Sequence, residues 1–348
     1  MRIGLIASPW IPVPPAGYGG VERVVDALAR GFIAAGHEVV LAAASDSTCP
    51  APLVPDMRPS EPGDLGLTLS ELSHVIRSYK GMRGVDVIHD HTLAGPLVAR
   101  AGPNVPVVTT IHGLLTPTSA DVYRAMADST SVIAISRDQT SRVPDVPVAR
   151  VIHHGMDVAD VPIGSGAGGY ACFVGRICPD KGVLEAIDIA RAAGIQLRIA
   201  AKMREAEEIE YYRSVIEPHL GSNEEFLGEL LDPDKYRLMG EAVAFLNPIQ
   251  WHEPFGLVMI EALSTGTPVV GTAIGSAPEI VDHGKTGFLG RTEQLPALLS
   301  LAATLDRSLC RDRALKLFST ERMVSDHLEL YADLVEKSSG PGYRMVPR

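Results

Sequence analysis

No apolar run in this 348-residue chain approaches the ~18 residues of a bilayer-spanning helix, which argues against a membrane span. The opening stretch Met1-Arg2-Ile3-Gly4-Leu5-Ile6-Ala7 is too short for a signal peptide and reads as a first buried strand. Cysteine is scarce: Cys49, Cys172, Cys178 and Cys310 stand apart, without metal-type spacing, and read as reduced thiols, so a cytoplasmic setting is expected. Positive charge is also short, 31 Lys and Arg against 42 Asp and Glu, for a formal net charge of −11. Broad attraction to nucleic acid or to anionic lipid is therefore not expected, and an anionic ligand must be held by local cations against the overall field. Two common nucleotide signatures are missing. There is no Gly-Lys-Ser/Thr phosphate loop, and the position three beyond Gly17 and Gly19 is Glu22, so the G-x-G-x-x-G dinucleotide fingerprint fails. No internal repeat at solenoid periods is visible.

What is present is a large apolar fraction, 46% of the chain, enough for substantial cores, and a length that favours two domains over one. Short β-branched runs alternate with helical patterns. Strands are expected at 2–7, 38–43, 85–89, 106–112, 131–136 and 149–153, then at 170–175, 196–200, 224–228, 242–247 and 269–272. Nearly continuous apolar strands separated by helices imply parallel sheets covered on both faces, an α/β fold. The first helix places Val21, Val24, Val25, Leu28 and Phe32 on one face and Glu22, Arg23, Asp26 and Arg30 on the other. Ile163-Gly164-Ser165-Gly166-Ala167-Gly168-Gly169 reads as a flexible linker between the halves. The expected division is 1–162, linker 163–169, 170–319, and a final helix with tail at 320–348. Ligands in such folds bind beyond the carboxyl ends of the strands, so two facing halves would form one cleft.

The stretch His252-Glu253-Pro254-Phe255-Gly256-Leu257-Val258-Met259-Ile260-Glu261 places two carboxylates eight positions apart. Proline suits a first helical position, so a helix opening at Pro254 would leave Glu253 just outside it and set Glu261 about 12 Å beyond Glu253 along its axis. The N–H groups of Phe255, Gly256 and Leu257 would then face an anion at the helix mouth, with Gly256 removing the side chain that would bar it. Acceptor, anion cradle and second acceptor follow the order of parts in a nucleotide sugar: sugar, diphosphate, ribose. The plainer reading is a surface helix with two solvated acids. Upstream, Gly175-Arg176-Ile177-Cys178-Pro179-Asp180-Lys181-Gly182 links an apolar strand to a helix at 183–193. Arg176 offers a planar fork and Lys181 a compact charge, together a diphosphate clamp.

This pattern resembles the E-x7-E signature of retaining glycosyltransferases, and its wording is closest to glycosyltransferase family 4. Gly266-Thr267-Pro268-Val269-Val270-Gly271, Ala277-Pro278-Glu279-Ile280-Val281, Gly287-Phe288-Leu289 and, near the start, Gly19-Gly20-Val21-Glu22 follow in the family's order. The resemblance implies the GT-B architecture, two Rossmann-like domains across a cleft with the donor held mainly by the second and the last helix crossing back to the first. It implies that Arg176 and Lys181 neutralise the leaving diphosphate, that Glu253 binds donor-sugar hydroxyls and Glu261 the ribose, that the Gly19-Gly20 loop touches the donor, and that His112 contacts the donor sugar. The cationic clamp would serve in place of a metal, so no metal and no cofactor are expected.

Other motifs stay open. His89-Asp90-His91 and His112-Gly113 end two strands; a metal site is the less favoured reading, and His89 and His91 divide between hydrogen-bonded strand-end residues and acceptor contacts. His153-His154 reads as structural. Asp232-Pro233-Asp234 reads as a helix cap in preference to a metal-holding D-x-D. Helical spacing of Leu69, Leu72, Val75, Ile76 and Tyr79 reads as packing or an acceptor site. The expected function is transfer of a sugar from a nucleotide diphosphate, UDP in preference to GDP, to a hydroxyl of a soluble acceptor such as an antibiotic oligosaccharide of the avilamycin type. Stable membrane association is not expected. A UDP-sugar epimerase or hydrolase of the same fold, and a non-catalytic sugar-nucleotide binder, are the alternatives. Residue pattern does not separate a covalent intermediate from same-face attack.

Overall fold

A computed structural model describes residues 1–339; the expected tail beyond them lies outside the described residues. The chain forms two compact units, Met1–Gly155 with the chain from Thr320 onward, and Met156–Ser319. In the first, β1 (Arg2–Ile6), β2 (Glu38–Ala42), β3 (Val87–Asp90), β4 (Val107–Ile111), β5 (Ser131–Ala134) and β6 (Arg150–Val151) form one parallel sheet in the order β2-β1-β3-β4-β5-β6. Every residue of β3 and β4 is buried, as expected for strands covered on both faces. The strand order reverses direction beside β1, so the loops after β1 and β3 diverge there.

The helix Gly20–Ala34 buries Val24, Val25, Leu28 and Phe32, the apolar stripe read from the sequence. The helix Thr320–Ser339 packs in the same unit, with the Tyr331 ring 5.6 Å from that of Phe32. The helix Thr68–Gly81 turns inward His74, Val75, Ser78 and Tyr79, while Leu69 and Ile76 of the expected stripe face out. The polar His74 wins an inward place because its ring bonds the Ala7 carbonyl at 2.9 Å.

In the second unit, β7 (Tyr170–Arg176), β8 (Gln196–Lys202), β9 (Glu224–Gly228), β10 (Ala244–Asn247), β11 (Val269–Thr272) and β12 (Gly287–Gly290) run parallel in the order β12-β11-β10-β7-β8-β9. Here the reversal lies between β7 and β10. Strand β12 was not expected; glycines at both of its ends leave only Phe288 and Leu289 as an apolar run, and its pairing with β11 defines it.

The stretch 163–169 is not a flexible linker. Its backbone N–H groups at Gly164, Gly166 and Gly168 donate to the carbonyls of Thr265, Gly240 and Glu241 at 2.9–3.0 Å, which fastens it to the second unit. The division between units falls earlier, after Gly155. Arg307 closes this seam: its guanidinium donates to the carbonyls of Gly164 (3.2 Å), Ala242 (3.1 Å) and Gly240 (2.7 Å) and to the Thr267 hydroxyl (2.8 Å). Composition rich in glycine suggested a flexible linker, but a fork of donors from a distant helix satisfies backbone carbonyls there instead. Arg307→Ala is expected to lower unfolding stability by roughly 2–4 kcal/mol, since several carbonyls lose a charged donor at once. Urea unfolding of the variant checks this, and an unchanged midpoint would mean that the seam holds without the guanidinium.

Candidate functional site

Residues at the β7/β10 reversal come together through backbone contacts. The chain leaves β7 at Arg176, makes a short turn at Pro179–Lys181, and enters the helix Val183–Ala193 through Gly182 in the left-handed region, φ 73°. A Cβ on Gly182 would lie 2.0 Å from the Pro248 carbonyl oxygen, so only glycine admits the chain leaving β10 this close. The Gln250 N–H donates to the Asp180 carbonyl at 2.8 Å, which ties the two loops together.

That approach sets Lys181 against Glu253. Lys181 Nζ pairs with Glu253 Oε2, the same oxygen accepts from Trp251 Nε1 at 3.0 Å, and Nζ lies 5.3 Å from the centre of the Trp251 ring. Both charged side chains are largely buried, so the pair stands in a weakly screened setting. The loop carrying Glu253 is itself strapped: the Ser276 N–H donates to the Glu253 carbonyl at 3.1 Å and the Ser276 hydroxyl to that of Phe255.

The helix after Glu253 begins at Leu257, three residues later than expected from Pro254. Gly256 precedes it in the left-handed region, φ 86°, so the proline lies in the loop and the glycine, not the proline, sets the helix entry. Glu261 therefore sits just over one turn into the helix, and its distance from the helix mouth is ~6 Å, not the longer reach inferred from Pro254. The opening amides at Leu257 and Val258 precede the first rung of the helical ladder and point along its positive end. Glu261 Oε1 accepts from Lys235 Nζ at 2.7 Å, and Lys235 also pairs with Asp232 at 2.9 Å.

Arg176 stands apart from the Lys181–Glu253 pair. Its Nη1 lies 3.5 Å from Oε1 of the buried Glu208, whose other oxygen accepts from the Arg204 N–H at 3.0 Å and lies 3.6 Å from Lys202 Nζ. Arg176 and Lys202 are register partners at the ends of β7 and β8. Arg176, Cys178, Asp180, Glu205 and Glu208 border a cavity of about 300 Å³. Arg176 at the end of β7, Lys181 in the turn after it and Lys235 in the helix Asp232–Glu241 thus each face a glutamate.

Sequence reasoning overlooked Trp251, Glu208 and Lys235. Trp251 adjoins His252-Glu253 and could have been flagged as a neighbour of the acid; Glu208 and Lys235 carry no local signal, because each acts across helices distant in the chain. Asp232 lies in the first turn of the helix Asp232–Glu241, with Leu231 at the capping position, so Asp232 is not itself the cap. Its carboxylate pairs with Lys235 and that of Asp234 with Arg237. Among the described residues no cluster of three or more His, Cys, Asp or Glu is arranged to hold a metal ion.

Gly19, Gly20 and His112 lie in the first unit, at the carboxyl ends of β1 and β4. The loop before the first helix is fastened by Arg23 Nη2 to the Gly17 carbonyl at 3.0 Å, and the buried Glu22 accepts from the Ser8 hydroxyl at 2.6 Å. His112 is half-buried and belongs to a group of imidazoles. Its Nε2 is 2.8 Å from His91 Nδ1, and its ring stacks on His154 at 5.3 Å. His91 lies 4.0 Å from the ring of His89, which bonds Thr110 and Tyr331. Burial pushes the His112 imidazole down to about 3 and that of His327 to about 4, and it carries His89, His91 and His154 well below the ordinary histidine range. These rings are neutral at pH 7. Burial acts oppositely on Asp90, raised to about 7 despite hydrogen bonds from Thr92 and Tyr79.

Residues 18–160 match the family model described as Glycosyltransferase Family 4, and residues 168–306 match Glycosyl transferases group 1. The chain is 27% identical to a glycogen synthase of Mycobacterium tuberculosis, over 82% of this chain and 81% of that one. It is 27% identical to a phosphatidyl-myo-inositol mannosyltransferase of the same organism, over 90% of each. Among solved structures, AviGT4, a glycosyltransferase involved in avilamycin A biosynthesis, superposes with a TM-score of 0.74 at 26% identity, covering 97% of this chain and 98% of that one. The two six-stranded parallel sheets are the GT-B arrangement. No helix among the described residues is long and apolar enough to cross a membrane.

The imidazoles make the first unit acid-sensitive. Seven histidines there, His37, His74, His89, His91, His112, His154 and His327, titrate lower folded than unfolded. Their contribution is present above the unfolded value of about 6.5 and is lost as pH falls toward their folded values. Asp90 and Glu22, both raised, act in the opposite sense but are fewer. Stability is expected to fall steadily from pH 6.5 to 4, and a urea midpoint that stayed level over this range would refute the buried neutral state of the rings.

Proposed function

This chain belongs to the glycosyltransferases, family 4 in its first half and group 1 in its second, and on that premise we propose that it moves a sugar from a nucleotide diphosphate, UDP in preference to GDP, to a hydroxyl of a soluble acceptor with retention of anomeric configuration. The observation that carries this reading is the joining of Lys181, Glu253 and Trp251 at the β7/β10 reversal, with Arg176 on the same strand end. Strand-order reversals are where open α/β sheets receive ligands. In this scheme Lys181 and Arg176 take up charge that develops on the diphosphate as the glycosidic bond breaks. A lysine ammonium and an arginine guanidinium are both multiple N–H donors, the chemistry that phosphate oxygens accept from.

Glu253 gives Oε2 to Lys181 and Trp251 and keeps Oε1 to accept from donor-sugar hydroxyls. Glu261, oriented by Lys235 through Oε1, accepts from the ribose through its other oxygen. The helix mouth at Gly256 and Leu257, with the neighbouring Phe255 backbone, adds backbone N–H groups toward the diphosphate. His112 and the Gly19-Gly20 loop are the substrate contacts of the first unit. The leaving phosphate accepts the proton of the attacking hydroxyl, so no enzyme carboxylate forms a bond to the sugar, and the cations supply the neutralisation that a metal provides elsewhere. Similarity to AviGT4 supports an oligosaccharide or other natural-product acceptor.

The test is incubation with a panel of nucleotide sugars, following nucleotide release with and without candidate acceptors in the presence of a chelator, with the anomeric configuration of the product read by NMR. An inverted linkage, or activity only with added divalent cation, would overturn the scheme. Lys181→Ala and Arg176→Ala are each expected to reduce kcat by about 100-fold or more with the fold intact, the usual scale for removing a donor from developing charge. Near-normal transfer by either variant would remove that residue from the clamp. Glu261→Ala is expected to weaken UDP binding by roughly tenfold, the loss of one or two hydrogen bonds, and calorimetric titration with UDP measures it.

A further inference from the structure

We propose that His91 is a positioning residue that fixes the tautomer of His112, keeping the proton on His112 Nδ1 so that this ring donates a hydrogen bond to a hydroxyl of the sugar substrate. The inference rests on the reading of His112 as a sugar contact. It starts from the 2.8 Å contact between His91 Nδ1 and His112 Nε2. Both rings are neutral, so each has one N–H and one lone pair, and only one of the two nitrogens in contact donates.

If His91 Nδ1 donates, His112 Nε2 is the acceptor and the remaining proton of His112 sits on Nδ1. His91 Nε2 is then a bare lone pair. If His112 Nε2 donates, the proton of His91 must sit on Nε2. That nitrogen is buried and has no hydrogen-bond partner, so the second arrangement strands an N–H donor inside the unit. Buried orphan donors are rarer than under-satisfied acceptors, which favours the first arrangement.

The neighbours of His91 do not change this balance. His89 stacks on His91 at 4.0 Å, but both of its nitrogens are engaged, Nε2 with the Thr110 hydroxyl at 2.7 Å and Nδ1 with the Tyr331 hydroxyl at 2.5 Å. His91 is 6% exposed, so bulk water does not supply a partner either. His112, by contrast, is half-buried and is held on one face by the His154 ring. The more accessible ring therefore presents an N–H whose direction and proton are both set by the ring beneath it. A neutral donor suits a sugar hydroxyl, which accepts without a change of charge.

The experiment is long-range proton–nitrogen correlation on the full-length, ligand-free chain with nitrogen-15 histidine. His112 is expected as a single neutral tautomer from pH 6 to 8, with Nδ1 protonated and Nε2 bare. His91→Phe keeps a ring for stacking but has no nitrogen, and is expected to leave His112 as a mixture of tautomers. His91→Asn, whose amide nitrogen stands near the place of Nδ1, is expected to restore the single form. In calorimetry, His91→Phe is expected to weaken UDP-glucose binding by about two- to fivefold, the cost of selecting one tautomer from a mixture, and to leave binding of UDP unchanged.

A protonated Nε2 on His112 in the unsubstituted chain, or an unaltered tautomer in His91→Phe, would overturn the proposal. So would an equal loss of UDP and UDP-glucose binding, which marks general damage to the fold. Failure of the unsubstituted chain to bind UDP at all would count against the nucleotide reading, while the spectra, taken without ligand, decide the tautomer independently.

Discussion

The second unit depends on one close approach, the Gly182 backbone against the Pro248 carbonyl. Two parallel strands adjacent in the sheet send their chains off in opposite directions, and the loops that leave them meet only if one has no side chain at the meeting point. With Gly182 in the left-handed region, Lys181 and Glu253, 72 positions apart, become an ion pair with Trp251 beside it. The strap from Ser276 then holds the Glu253–Phe255 backbone, so the acid is positioned from two neighbouring strand ends.

The two units solve the problem of buried polar groups differently. In the second, cations and carboxylates are matched: Lys181 with Glu253, Lys235 with Glu261 and Asp232, Arg176 with Glu208. Removing one partner of such a pair leaves an uncompensated charge, which makes the pairing strict. The first unit instead stacks neutral imidazoles and bonds them to one another, to hydroxyls and to a backbone carbonyl. Charging any one of them would meet burial and the partial positive edges of the others, so neutrality is a property of the group.

Much of the fold was legible from residue pattern. Eleven of the strands were expected, most plainly those such as β3, β4, β10 and β11 that are buried along their whole length and read as continuous apolar runs, and the amphipathic stripe of Gly20–Ala34 is periodic enough to read directly. β12 was missed because two of its four residues are glycines, which leaves little side-chain signal beside its backbone pairing. The supposed linker misled for the opposite reason: Gly164, Gly166 and Gly168 look flexible by composition, yet Arg307 and the carbonyls of distant turns hold them. At the candidate site, Lys181, Arg176, Glu253 and Glu261 were visible through their spacing and the glycines near them. Glu208, Lys235 and Trp251 were not, since their meaning lies in what they touch.

Taken alone, the order of residues determined the architecture of two parallel-sheet halves, the membership in a family of sugar-transferring enzymes, and the identity of the charged residues grouped near strand ends. These follow from period, burial preference and local turn chemistry, which act over a few neighbouring positions. Only the tertiary structure decided which acid faces which base, where the helix after Glu253 begins, and how His91 meets His112. Such pairings are set by strand register and by loops packed across tens of residues. A one-dimensional pattern carries the chemical character of each partner but not the distance between them.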